Sequence, residues 1–458
     1  MEQQIITELK RLVGSDYVME QLEDRICYSF DATFRDFPPD VVVKPGNVEE
    51  IAAIVKLAGK YRLPVTARGA ATGLSGGAVP VQGGISLVLT RLNKILAIDT
   101  ANRVAVVETG VIAEDFVNAV SQAGLFYPPD PGSIKTATIG GTIAECAGGP
   151  RGVKYGITRD YVLGLEVVLP DGRIVEVGNR FDSEMAGPDW GMLFVGSEGT
   201  LGIVTKAYLK LIDKPKAKQT LLAVFNSLDD AARTVSEMIA SGTIPTTLEI
   251  MDNMTIRAVE DFLKVGLPVN AEAILLIEVD GSAKAIAKQA EHVIKVCRQC
   301  GATEMQVAST PEDMDKLWRA RRAISPACGK INPTKISEDA TVPRSQIPAM
   351  VRRLREIAQK YNLKMVIFGH AGDGNLHPNI LSNKHDHAEM ERVEQAVAEL
   401  FKEALHLGGT LSGEHGIGYM KAPFLKWETG ETGFAAGKKL KQVIDQQELL
   451  NPGKLFNV

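Results

Sequence analysis

Of the seven histidines in this chain, six lie after residue 369. Two of them frame the run Gly369-His370-Ala371-Gly372-Asp373-Gly374-Asn375-Leu376-His377. On a continuous helix His370 and His377 would stand about 10 Å apart, too far to share an ion. The intervening Gly-Asp-Gly-Asn breaks a helix and favours a reversal. Strands on either side of that reversal would bring the two imidazoles together. A carboxylate is offered by Glu414 in Ser412-Gly413-Glu414-His415-Gly416. Two neutral imidazoles and one carboxylate suit Zn²⁺, Mn²⁺ or Fe²⁺ and leave positions open for a substrate. His292, His385, His387 and His406 lack such a setting and read as surface residues.

Two glycine-rich segments carry a second kind of chemistry. The first is Arg68-Gly69-Ala70-Ala71-Thr72-Gly73-Leu74-Ser75-Gly76-Gly77. The second runs from Asp130-Pro131-Gly132-Ser133 through Thr138, Gly140, Gly141, Ala144 and Gly148 to Tyr155-Gly156. Small residues let backbone amides approach a flat or polyanionic ligand. Two such cradles some 60 residues apart fit a dinucleotide, one of them taking the pyrophosphate. There is no G-x-G-x-x-G and no strict β-α-β-α rhythm, so a Rossmann site is disfavoured.

The elements that must position these groups follow from periodicity. Residues 2–13, Val48–Leu63 and Val111–Ala123 have helical spacing, and Val65–Ala67, Ile85–Leu89, Ile95–Ile98 and Val104–Glu108 read as strands. Pro170-Asp171-Gly172 is a hairpin turn between two strands. From residue 216 two β-α-β units follow in series, Leu221–Ile250 and Ala273–Val307. They predict an α+β, ferredoxin-like sheet with helices on one face. One helix is expected over 311–328, another over 345–361, and a buried strand over 365–368.

With 458 residues, 45% hydrophobic and 23% charged, the chain has room for two or three globular domains. A net charge of −5 argues against nucleic acid or an anionic membrane as main partner. No apolar run reaches the length of a membrane span. Five cysteines, odd in number, suit a reducing cytoplasm. Cys297 and Cys300 form an isolated pair, and without a Cys-x-x-Cys-x-x-Cys run an iron–sulfur cluster within the chain is excluded.

Together the glycine runs, VGSEGTLGIVT, GHAGDGNLHPN, SGEHGIG and Leu450-Asn451-Pro452-Gly453-Lys454 resemble the FAD-linked 2-hydroxy-acid dehydrogenases of the vanillyl-alcohol oxidase superfamily. The pattern is similar to glycolate oxidase D subunits, flavin D-lactate dehydrogenases and D-2-hydroxyglutarate dehydrogenases. That resemblance implies an FAD domain over 1–215, a substrate and metal domain over 216–420, and a segment over 421–458 returning to the first. Arg68, Gly69, Ala70, Thr72, Gly73, Ser75, Gly76 and Gly77 would hold the pyrophosphate. Pro131, Gly132, Ser133, Thr138, Gly140, Gly141, Ala144, Gly148, Tyr155 and Gly156 would line adenosine and flavin, Ile203 and Val204 would meet the adenine side, and Asn451 joins the cofactor set. With neither His nor Cys in the first loop, the FAD is expected to be non-covalent.

By the same resemblance His370, His377 and Glu414 hold the metal, His415 is the base, Arg321 clamps the substrate carboxylate and Asn379 adds a hydrogen bond. The neighbouring Arg319 and Arg322 are the alternatives to Arg321, and Lys335 stands out of register for a second substrate carboxylate. The family often has Asn in the motif that here reads Glu145-Cys146-Ala147-Gly148-Gly149, which leaves the role of Cys146 open. The implied activity is oxidation of a D-2-hydroxy acid, D-lactate or glycolate first, with a D-2-hydroxyglutarate-type enzyme or a non-catalytic flavin-binding subunit as alternatives. A metal-dependent hydrolase whose glycine loops bind another phosphate ligand is the rival class. Electrons would leave to an electron-transfer flavoprotein, an iron–sulfur subunit or a quinone. The expected setting is cytoplasmic, peripheral to the membrane only through a partner, with a homodimer allowed.

Overall fold

The computed structural model describes residues 1–183 and 187–456. Residues 184–186 of the expected FAD domain and residues 457–458 of the expected C-terminal segment lie outside them. The chain divides into two compact units. The first comprises Met1–Ala147, Ile157–Lys214 and His415–Val458, and the second Gly148–Gly156 and Pro215–Glu414.

In the first unit, helix Val48–Tyr61 shows how local pattern becomes packing. Ile51, Ile54, Val55 and Ala58 recur at helical spacing and are fully buried. The Asn47 side chain caps the start by accepting from the Glu50 N–H, worth about 1 kcal/mol. This helix and Gln3–Val13 cover a four-stranded sheet ordered Val18–Met19, Val41–Val43, Ile85–Val88, Val65–Arg68. Each fully buried aliphatic side chain there contributes about 1.5–3 kcal/mol. A five-stranded antiparallel sheet follows, ordered Ile95–Asp99, Val104–Glu108, Ile203–Lys210, Val162–Val168, Ile174–Gly178. The glycine-rich 130–156 segment is more than an extended cradle: it contains the short helix Ile139–Glu145 here and, in the part belonging to the second unit, Gly152–Tyr155. The chain's last turn returns to this unit, where Asn451 N–H donates to the Val65 carbonyl.

In the second unit, the two β-α-β repeats form antiparallel strands ordered Ala302–Val307, Ala217–Phe225, Ala273–Gly281, Thr247–Asp252. The fourth strand in sequence thus lies first, the ferredoxin-like arrangement. Strands Lys364–His370, Asn375–Ser382 and Thr334–Ser337 extend this sheet beyond Thr247–Asp252. Helices cover both faces of the extended sheet. Asn253–Leu263, Pro311–Arg322 and Ile324–Gly329 bury Met251, Leu276, Val366 and Phe368 on one face. Leu228–Ala240, Ala283–Gln299 and Ile347–Lys360 form the other layer. The single helix expected over 311–328 is two helices, divided at Ala323.

Candidate metal and cofactor sites

Strand register explains the histidine cluster. Strands Lys364–His370 and Asn375–Ser382 pair antiparallel, with Phe368 opposite His377 and His370 opposite Asn375. Opposed residues share a face, and so do residues two apart on one strand. His370 and His377 are therefore diagonal neighbours on one face, their ring centroids 4.8 Å apart at 89°. The reversal between them needs Gly374, at φ 88°, where a Cβ would lie 2.1 Å from the Val342 carbonyl oxygen. On the other side, Glu249 of strand Thr247–Asp252 stands opposite His370.

Glu414 arrives from a loop and is aimed by a residue the sequence did not single out. Asp339 is fully buried and its Oδ2 accepts from Ser412 Oγ at 3.1 Å, Gly413 N–H at 2.7 Å and Glu414 N–H at 2.8 Å. Glu414 Oε1 then lies 3.0 Å from His370 Nε2 and 3.2 Å from His377 Nε2. Bonds of about 2.0–2.2 Å to one cation place neighbouring donors roughly 3.0–3.5 Å apart; the two carboxylate–imidazole separations fall in that range, and the ligand atoms as a set lie within 4.8 Å. His370 Nδ1 meets Glu249 Oε1 at 2.7 Å, the outer contact that fixes a ligating histidine's tautomer.

Opposite charges face one another in this cluster. Burial alone would push the His370 imidazole down, but the carboxylates of Glu249 and Glu414 outweigh it and hold it well above the ordinary histidine value. Burial likewise works against ionised Glu414, yet His370 and His377 hold it well below the usual carboxylate range. His377 is lowered by burial, with the Glu414 contact opposing.

Arg321 is mostly buried, whereas Arg319 and Arg322 are exposed. Its Nε donates to Glu249 Oε2 at 2.5 Å, and its guanidinium stacks 5.1 Å from the Phe368 ring. Asn379 is fully buried, giving Nδ2 to the His377 carbonyl at 3.1 Å. Its Oδ1 has no hydrogen-bond partner among the described residues. Lys335 donates to Ser325 Oγ at 2.7 Å. His415 belongs to the first unit and is half-buried there.

The cofactor residues of the first unit are held by a different device. Arg68 is buried and directs Nη1 to the carbonyls of Tyr28 and Ala78, at 3.2 and 3.5 Å. Gly140 gives its amide to the Thr109 carbonyl, and Gly141 gives its own to Thr138 Oγ1. Ile203 and Val204 point their side chains into the two cores, so contact with an adenine would fall to their backbone. Tyr155, in the second unit, commits its hydroxyl to Asp280 at 2.9 Å. Cys146 ends helix Ile139–Glu145 in the left-handed conformation that asparagine also tolerates, and its sulfur accepts from Arg159 Nε at 3.3 Å.

Beside the Gly69–Gly77 loop, Asn451 and Lys454 of the terminal motif join Glu198 and Glu145 in a buried ionic cluster. Lys454 is almost fully buried and donates to the carbonyls of Gly77 at 2.7 Å and Val79 at 2.5 Å, and to Asn451 Oδ1 at 2.6 Å. Asn451 Nδ2 donates to the Gly77 and Glu198 carbonyls at 3.0 and 2.7 Å. Burial pushes the Lys454 ammonium down to about 7, against the attraction of Glu198, Asp31 and Glu145. Glu198 accepts the Ile417 and Gly418 amides at 2.7 and 2.6 Å. Burial and then the Glu198 charge push Glu145 well above the usual carboxylate range. Ser75 Oγ and Glu145 Oε2 are buried with no hydrogen-bond partner among the described residues. Such polar atoms along a glycine-rich loop fit a polar cofactor.

Comparison with known proteins agrees with this architecture. An FAD binding domain matches residues 39–178, and the C-terminal domain of FAD linked oxidases matches residues 214–455. Among solved structures, p-cresol methylhydroxylase superposes with a TM-score of 0.83 at 17% identity, over 99% of this chain and 96% of that one. The 4-ethylphenol oxidase of Gulosibacter chungangensis gives 0.80 at 19%, over 98% and 96%. The matched domains thus define an FAD-linked oxidoreductase, and its fold is that of these two enzymes. The glycolate oxidase subunit GlcD of Bacillus subtilis is 47% identical over 98% of this chain and 96% of its own. A D-lactate dehydrogenase of Anaerostipes hadrus is 36% identical over 96% and 94%. The chain belongs to the FAD-linked oxidase family.

Proposed function

We propose that the protein oxidises a small D-2-hydroxy acid, D-lactate or glycolate, to the 2-oxo acid. The observation that carries this reading is the convergence of His370, His377 and Glu414, whose ligand atoms all lie within 4.8 Å of one another. Two of the relatives named above are, by their names, a glycolate oxidase subunit and a D-lactate dehydrogenase. Oxidation removes a hydride from Cα and a proton from the hydroxyl, so the site needs an electron acceptor, a means of acidifying the hydroxyl and a base. FAD, when bound, supplies the hydride acceptor. A divalent cation, Zn²⁺, Mn²⁺ or Fe²⁺, supplies Lewis acidity toward the hydroxyl.

The remaining roles fall to the chain's own residues. His370, His377 and Glu414 hold the cation. Arg321 keeps its terminal nitrogens for the substrate carboxylate while Nε is fixed by Glu249. Asn379 adds a hydrogen bond to the same carboxylate. His415 takes the hydroxyl proton, a role an imidazole suits near neutral pH. Two electrons per turnover then leave to a partner, an electron-transfer flavoprotein, an iron–sulfur subunit or a quinone. The relative's designation as a subunit supports such an arrangement. Among the described residues no helix is long and apolar enough to cross a membrane, and we assign the protein to the cytoplasm.

Anaerobic titration of the FAD-loaded protein with a panel of 2-hydroxy acids tests this. D-lactate or glycolate should bleach the flavin band near 450 nm with one equivalent. A yellow protein that no 2-hydroxy acid bleaches would sink the reading.

A further inference from the structure

We propose that Glu249 is a positioning residue that sets the His370 tautomer and the Arg321 orientation with one carboxylate, coupling the metal and carboxylate-binding halves of the site. This inference rests on the proposed function above. Glu249 is fully buried, and each of its oxygens meets one partner. Oε1 meets His370 Nδ1 at 2.7 Å and Oε2 meets Arg321 Nε at 2.5 Å. Arg321 Nε–H is an obligatory donor. His370 Nδ1 must also be a donor if Nε2, 3.0 Å from Glu414, is to offer its lone pair to a cation. Two donors converging on one buried group need two acceptor atoms, and a carboxylate is the side chain that provides them without a competing proton.

The geometry makes Glu249→Gln an informative change, because it keeps volume and shape. An amide has one acceptor oxygen and one NH₂ donor. If the oxygen stays on Arg321, the NH₂ faces His370 Nδ1 and drives the imidazole to its other tautomer. The proton then sits on Nε2, on the side of the ligand lone pair. If the oxygen stays on His370, the NH₂ opposes the Arg321 Nε–H and displaces the guanidinium. Either outcome damages one half of the site, and exchange between them damages both.

The test uses the FAD-loaded protein stripped of metal and titrated with Co²⁺, followed by its visible absorption. Glu249→Gln should weaken Co²⁺ binding by about 10–100-fold, as loss of an outer partner of a metal-bound histidine does. The metal-saturated variant should show a raised KM for the hydroxy acid, and Glu249→Gln and Arg321→Met should be non-additive in KM. FAD content should not change. A Glu249→Gln protein with unaltered Co²⁺ affinity and KM overturns the proposal. Should that variant fail to fold, Glu249→Asp, which keeps the charge but is too short to reach both partners, must show the same two losses or the proposal fails. His377→Ala is the parallel control. If it keeps full Co²⁺ affinity the metal reading itself is wrong and this inference falls with it; if it loses Co²⁺ while Glu249→Gln does not, Glu249 alone is dismissed.

Discussion

The two candidate sites are built on opposite principles. In the second unit, the candidate groups Glu249, His370 and His377 sit on three adjacent strands, where register dictates which side chains meet, Glu249 opposite His370 and Phe368 opposite His377, while Glu414 joins them from a loop. In the first unit, the glycine-rich loop is held by buried side chains from distant segments, Asn451 and Lys454 among them. A register-built site concentrates its function in few atoms. A loop latched from outside spreads it over many weak contacts. Substitutions in the first kind should therefore act on chemistry, and in the second kind on cofactor retention and stability.

The largest effect should come from His377→Ala. Losing one of three ligands should strip the metal and forfeit several kcal/mol of transition-state stabilisation, on the order of 10³-fold or more in kcat/KM. FAD should remain bound, because the cradle shares no residue with this cluster. Elemental analysis beside the flavin spectrum checks both; retained metal would refute the ligand assignment. His415→Asn should keep metal and FAD yet slow flavin reduction by on the order of 10²–10⁴-fold. Loss of metal in that variant would make His415 a ligand rather than a base.

Arg321→Lys should raise KM by roughly 10–100-fold, since an ammonium has no Nε to give Glu249 while also facing a carboxylate. Unchanged kinetics would hand the role to Arg319 or Arg322, although both are exposed. That distinction illustrates what the sequence left open. The three arginines of one helix are equivalent by composition, and burial separates them. His370 and His377 were legible because Gly-Asp-Gly-Asn between them forces a local reversal. Glu249 was not, since in Thr247–Asp252 it sits among alternating core residues and its partner His370 is 121 positions away. Asp339 was hidden for the same reason, being 75 positions from the Glu414 amide it holds. The ferredoxin-like repeat was visible in its β-α-β periodicity. Its continuation through Lys364–His370 and Asn375–Ser382 was not, because pairing across long connections leaves no local signal.

Protonation gives a smaller but sharper contrast. His370 is held above its unfolded value, and His377 is lowered and neutral. Near neutral pH, metal binding should release one proton, from His370, and the apparent affinity should rise about tenfold per pH unit until His370 itself titrates. The sign for stability is the reverse. Without metal, the His370 contribution is complete below its unfolded value near 6.5 and is lost as pH rises through the folded one. The melting temperature of the metal-free protein should therefore fall across that upper range while that of the loaded protein falls less. Release of two protons, measured with a pH indicator, would contradict a neutral His377.

The smallest effect on turnover is expected from Lys454→Met. The ammonium holds Gly77, Val79 and Asn451, and its removal leaves buried acceptors unpaired at about 1–3 kcal/mol each. Part of that cost is recovered, because an ammonium no longer has to be desolvated. The Glu198 and Glu145 carboxylates lose their buried counter-charge, which favours their protonated forms. The net expectation is a loss of about 2–4 kcal/mol, from the same terms, appearing as a lower melting temperature and weaker FAD retention on gel filtration. With FAD and metal in excess, kcat and KM should stay within about twofold, since the Lys454 hydrogen bonds go to Gly77, Val79 and Asn451. A fall in kcat that excess FAD does not restore would show that the loop and its latch take part in the chemistry, and the division between a register-built and a latched site would have to be abandoned.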